Sequence, residues 1–121
     1  MQRRSSVVKD KDFYFKRSCI IKDLLKQDKV IILFSAPSCG ACLPVDSILK
    51  NYLRNVSEII YAKIDLSKKE NAPLARRYNI RSLPNVIFFK KGKPVYNLIG
   101  LKHKYSYHAK ISAFRKNKSL I

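Results

Sequence analysis

The chain has no tryptophan, three glycines, three cysteines, and eight acidic residues against 26 lysines and arginines. Each scarcity excludes a class of protein. Three unevenly placed cysteines cannot build the disulfide framework of a small secreted domain. With no glycine-rich run there is no loop to cradle a nucleotide phosphate. No apolar stretch approaches the roughly 20 residues that a membrane-spanning helix needs. Serine, histidine and aspartate fall in no hydrolase arrangement, and neither an RNP-type aromatic motif nor zinc-finger spacing is present. The basic start, Met1-Gln2-Arg3-Arg4-Ser5-Ser6, is followed by Lys9-Asp10-Lys11-Asp12, where a secretory or twin-arginine leader would carry its apolar core. The chain therefore reads as cytoplasmic, and in a reducing compartment a CxxC is catalytic or metal-binding rather than a permanent staple.

What is present is a net charge of +18 on 121 residues, 46% of them apolar. That length and apolar content fit one globular domain with its own core. The charge is uneven: residues 92–121 hold seven basic groups and no acidic one, while residues 30–61 hold two of each. Such a basic surface suits an anionic partner such as nucleic acid, a ribosome or an acidic protein. Compositional drift toward lysine, isoleucine and asparagine explains the same excess.

Residues 1–12 are polar and charged and read as a loose arm. Phe13-Tyr14-Phe15 is a short strand candidate. Ser18 is placed to cap a helix over about 19–27 with Ile20, Ile21, Leu24 and Leu25 inward. Residues 30–35 are apolar on both faces, as in a central strand covered on both sides. Val45, Ile48, Leu49, Tyr52, Leu53 and Val56 form an unbroken helical stripe. A second buried strand follows over 59–66, then a capping box, Ser67-Lys68-Lys69-Glu70, and a short helix to Tyr78 whose start Pro73 limits. Segments 86–89 and 94–99 flank Lys90-Lys91-Gly92-Lys93 as an antiparallel hairpin. A last helix turns Tyr107, Ile111 and Phe114 inward. The order β-α-β-α-β-α-β-β-α predicts an α/β fold, a central mixed sheet flanked by helices on both faces.

The most informative segment is Cys39-Gly40-Ala41-Cys42, between the buried strand and the long helix. A thiol at the mouth of a helix faces unpaired backbone N–H groups and the positive end of the dipole, which favour thiolate near neutral pH. A second cysteine one turn on, on the same face, is close enough to close a disulfide. This is an arrangement for thiol–disulfide exchange.

Together the element order and the motifs resemble the thioredoxin family over about residues 13–117, which implies a domain over 13–117 with 118–121 as a tail. Phe34-Ser35-Ala36-Pro37-Ser38-Cys39-Gly40-Ala41-Cys42 is similar to its active-site segment, and Lys63-Ile64-Asp65 to the lysine-bearing strand after the long helix. Leu74 to Pro84 resembles its helix, turn and active-site proline, and Phe88 to Lys93 its final hairpin, with Gly100 just beyond. The resemblance implies a thioredoxin-like fold and a protein-disulfide reductase. Cys39 and Cys42 would be catalytic and form the redox-active disulfide. A cis Pro84 with Leu83 would pair with substrate backbone, beside Ser38, Gly40 and Ala41. It further implies disulfide-containing protein substrates, a thioredoxin-reductase-type electron donor, a monomer and no cofactor. Lys63 has two readings, favouring thiolate from beneath the site or ending a strand in solvent.

Departures accompany the likeness. The family's buried aspartate, six residues before the first cysteine, is Leu33 here, which puts activation of Cys42 in question. Ser38 and Ser35 replace tryptophans, Gly-Ala replaces Gly-Pro, and Ser47 replaces the helix-kinking proline, with Pro44 nearer the helix start. Two rival readings are an adaptor that docks an anionic partner on its basic surface, and a metal site of Cys39, Cys42, Cys19 and His103 or His108. Against the metal stand the missing second CxxC and the absence of HxxxH spacing. A glutaredoxin-like bridged cluster lacks a glutathione signature beyond Pro84. Cys19 reads as a small apolar packing residue on the first helix.

Overall fold

The computed structural model describes residues 19–116, with side chains from residue 21 onward. The strand candidate at 13–15, the arm, the tail and the packing of Cys19 lie outside the described residues. The elements are α1 (Cys19–Leu24), β1 (Lys29–Ser35), α2 (Cys42–Leu53), β2 (Ile60–Asp65), a 3-10 turn (Lys69–Asn71), α3 (Ala72–Arg77), β3 (Asn85–Lys90), β4 (Lys93–Ile99) and α4 (Lys104–Lys116). The sheet order is β2-β1-β3-β4. Strands β1 and β2 run parallel, while β3 is antiparallel to β1 and β4 to β3.

The run that reads as apolar on both faces is buried over all seven residues of β1. Its side chains alternate between two cores. Val30, Ile32 and Phe34 meet Ile21 and Leu24 of α1, Leu74 of α3 and the inward residues of β2 and β3. Ile31 and Leu33 meet Val45, Leu49 and Leu53 of α2 and Tyr107, Ile111 and Phe114 of α4. Phe114 packs edge-to-face on Phe88, with centroids 5.2 Å apart. Burying these side chains contributes roughly 1.5–3 kcal/mol each.

Several boundaries differ from the sequence reading. Helix α1 ends at Leu24 and a turn carries the chain on to Gln27, whose N–H bonds Leu24 O at 2.9 Å. Helix α2 stops at Leu53, yet Val56 beyond it still packs in the core. The capping box does not form. Ser67 donates its Oγ and its N–H back to Asp65 Oδ1, at 2.6 and 2.8 Å, and the 3-10 turn has no side-chain cap. The aspartate two residues earlier offers a closer acceptor for the serine than the turn ahead does.

Two turns set the geometry around the site. Helix α3 ends in a Schellman motif with Asn79 left-handed at φ 54°, where Ile80 N–H bonds Ala75 O and Asn79 N–H bonds Arg76 O. The hairpin is a two-residue type I′ turn, Lys91 and Gly92 both having positive φ, 52° and 84°. A Cβ on Gly92 would also come within 3.2 Å of Leu25 O. Gly92→Ala should therefore destabilise the fold by about 1–2 kcal/mol, read as a lower urea midpoint with an unchanged m-value.

Candidate active site

Pairing within the sheet collects one end of the molecule. Parallel β2 and antiparallel β3 put the last residues of β1 beside the last of β2 and the first of β3, with Ser35 opposite Asp65 and Phe34 opposite Asn85. Strand β4 ends at this edge too, since Ile99 pairs with Asn85 and Gly100 N–H bonds Pro84 O at 2.8 Å. The loops at 36–41, 81–84 and 99–101 therefore converge.

The first loop turns tightly. Cys39 N–H bonds Ala36 O at 3.0 Å, Cys42 N–H bonds Cys39 O at 3.1 Å and Leu43 N–H bonds Gly40 O at 3.3 Å. Helix α2 begins at Cys42, so Cys39 lies one turn before its first residue. The lead-in turn keeps Cys39 at the helix mouth. A disulfide joins Cys39 to Cys42, their Cα atoms 5.4 Å apart. Cys39 is half-buried, whereas Cys42 is only 4% exposed. Access thus favours the first sulfur. Ser38 and Gly40 are exposed and Ala41 is half-buried.

The Leu83–Pro84 peptide is cis, Pro84 is buried and Leu83 half-buried. The proline follows the Schellman turn and precedes β3, next to the residue paired with Phe34. That places it across from the strand end that launches the cysteine loop. Leu43, Ile99 and Leu101 are large, apolar and exposed. The first follows Cys42 and the other two flank Gly100. The sequence reading singled out none of the three. Two apolar residues astride a glycine at a strand end were the available signal.

Lys63 does not end its strand in solvent. It is half-buried on β2, opposite Leu33 in register, and its Nζ lies 3.3 Å from Asp46 Oδ2. Asp46, one turn beyond Cys42 on α2, is only 6% exposed. Its other oxygen accepts the Tyr61 hydroxyl at 2.6 Å, and Lys50 Nζ stands 3.2 Å from Oδ2. Burial pushes the Asp46 carboxyl upward. The hydrogen bonds from Tyr61 and Lys50 and the charges of Lys63 and Lys50 outweigh it, so its pKa falls below the usual 3.8. Burial, then the Asp46 charge and hydrogen bond, raise the Tyr61 phenol well above 10.0 and keep it a donor.

His103 and His108 sit before and on α4 in ring contact with Tyr105 and Tyr52, at 4.9 and 4.8 Å. Among the described residues no three His, Cys, Asp or Glu side chains are grouped to hold a metal. No helix among them is long and apolar enough to cross a membrane.

A two-cysteine turn at a helix mouth, beside a cis-proline loop at one end of a mixed sheet, defines a thiol–disulfide exchange protein. The Thioredoxin family model matches residues 7–113. The thioredoxin of Chlamydia caviae is 34% identical over 77 residues, covering 64% of this chain and 74% of that protein. That of Mycolicibacterium smegmatis is 34% identical over 84 residues, covering 68% and 75%. The solved structure of a single-site mutant thioredoxin from Halobacterium salinarum superposes with a TM-score of 0.75 at 25% identity, covering 86% of this chain and 90% of that one. The chain belongs to the thioredoxin family, and it is a thiol–disulfide oxidoreductase.

Asp46 is bonded in its ionised form, so its contribution to stability is complete above pH 3.8 and is lost as pH falls through its lower folded value. Asp46→Ala should cost about 1–3 kcal/mol at pH 7 by stranding the Tyr61 hydroxyl and freeing the paired charges. The gap between the urea midpoints of variant and wild type should narrow only when measured below about pH 4.

Proposed function

We propose that the protein reduces disulfides in other proteins, with Cys39 as the attacking sulfur and Cys42 as the resolving one. In its thiolate form Cys39 attacks one sulfur of a substrate disulfide, and the substrate's other sulfur leaves with the bonding electrons and takes a proton. Cys42 then attacks Cys39, breaking the mixed disulfide and closing the intramolecular bond. The second substrate sulfur leaves as a thiol, and the protein has given up two electrons. The observation that carries this reading is the difference in exposure between the two joined cysteines, half-buried at 39 and buried at 42.

The surroundings support the assignment. Backbone at Leu83 beside cis Pro84 is where an extended substrate segment would lie, in the manner of an added strand. Ser38, Gly40 and Ala41 leave small side chains along that approach. The apolar rim of Leu43, Ile99 and Leu101 would cover the apolar flanks of the target. Turnover requires a reductase as electron donor, with a thioredoxin-reductase-type enzyme as the proposed partner. A reducing cytoplasm is the proposed location, supported by a cysteine content that suits exchange rather than stapling. The protein is proposed to work as a monomer without a cofactor.

The basic surface supports a second reading, docking of an anionic partner. Tyr105 is 63% exposed beside Lys104, and Lys110 Nζ stands 4.5 Å over the Tyr96 ring. An insulin-reduction assay separates the two. Wild type should reduce insulin, Cys39→Ser should lose at least about a hundredfold, and Cys42→Ser should accumulate a mixed disulfide visible by mass. No turnover by wild type, together with salt-sensitive retention on an anionic matrix, would favour docking.

A further inference from the structure

Asp46 is a buried carboxylate that the exchange chemistry above does not use. It lies four residues after Cys42 on one face of α2, a spacing that brings Cβ atoms about 5–6 Å apart. Both side chains are buried, at 6% and 4% exposure, so water does little to screen one from the other. On the strand beneath, Leu33 is fully buried and carries no charge, and its register partner Lys63 turns to Asp46. Lys50 approaches from the same helix and Tyr61 from β2. Among the described residues, the charged or titratable groups around Asp46 are Cys42 and Lys50 on α2 and Tyr61 and Lys63 on β2.

We propose that Asp46 is a positioning residue that keeps Cys42 protonated, with Lys63 opposing it, so that the thiolate forms at Cys39 alone. The inference rests on the exchange role given to the two cysteines. A negative carboxylate one turn away disfavours a second negative charge on the Cys42 sulfur. Cys39 lies a turn further out, half-buried, where the helix mouth favours its thiolate. Asp46 is not placed to receive the Cys42 proton. One oxygen is taken by a phenol and the other by two ammonium groups, and a carboxylate so stabilised is a weak base. In the resolving step the Cys42 sulfur bonds Cys39, the Cys39–substrate bond breaks, and the departing substrate sulfur takes the proton that Cys42 gives up.

The two possible roles of the carboxylate predict opposite signs. With Asp46→Asn, the Cys42 thiol should titrate about one pH unit lower, followed by the 13Cβ shifts of reduced, cysteine-labelled protein. At pH 7 the variant should resolve a preformed mixed disulfide about threefold faster, because a tenfold gain in thiolate is partly offset by weaker nucleophilicity. Lys63→Met should move both quantities the other way. Tyr61→Phe removes a hydrogen bond to the same carboxylate but no charge, and should leave the Cys42 titration near that of wild type. Slower resolution in Asp46→Asn would overturn the proposal in favour of a proton acceptor. An unmoved titration in both charge variants would overturn it, as would a shift in Tyr61→Phe equal to that in Asp46→Asn. If Asp46→Asn does not fold, the direction seen in Lys63→Met decides. The titration needs no turnover, so its outcome stands apart from whether wild type reduces insulin.

Discussion

Strand β1 must be covered on both faces and paired on both edges, and the active end of the molecule follows from how that is done. All seven of its residues are buried. Its odd-numbered apolar side chains face α2 and α4, and its even-numbered ones face α1 and α3. Parallel pairing on one side and antiparallel pairing on the other bring three loops to the point where β1 ends. The cysteine turn is thus held by a strand that cannot shift by one residue without exchanging its two cores. Rigidity of this kind matters for exchange chemistry, where three sulfurs must come into line.

Electrostatics then divides the work between two chemically identical side chains. Cys39 lies just before the amino end of α2, on the positive side of the helix dipole, while one turn beyond Cys42 the helix carries a buried aspartate that accepts the Tyr61 hydroxyl. Burying that carboxylate is costly, and the Tyr61 hydroxyl with two lysines offsets the cost. The disulfide is neutral, so the oxidised protein holds the aspartate without conflict. Only reduction brings a sulfur charge near it, and the half-buried position at 39 is the easier one to charge. The large positive excess is spread along the chain, with five of its 26 basic groups on β4 and α4, at Lys93, Lys104, Lys110, Arg115 and Lys116.

Much of this was legible in the residues because the signals were local. The continuous apolar run at 30–35, the helical stripe from Val45 to Leu53 and the CxxC between them required no tertiary knowledge. The Lys91-Gly92 hairpin and the inward residues of α4 were equally readable. The cis peptide at Pro84 followed only from family resemblance, since the same residues suit a trans proline opening a strand. The capping box was a false signal, because Asp65 competes for Ser67. Asp46 was illegible for a clearer reason. With Lys50 four residues on, it looks like an ordinary exposed helix pair, worth little. Its other two partners come from β2, fifteen and seventeen residues away, and only parallel pairing of β2 with β1 brings them beneath α2. Leu33 concealed the arrangement further, since the expected carboxylate was missing from the strand while one had come in from the helix.

Central to the account is a difference between the two sulfurs, one poised as thiolate and one held as thiol. The direct measurement is the alkylation rate of each cysteine in the reduced protein against pH, resolved by peptide mass. The account predicts that Cys39 is modified with a midpoint clearly below the ordinary thiol value of about 8.5, while Cys42 is modified far more slowly and with a higher midpoint. Equal rates and a shared midpoint at the ordinary value would contradict it.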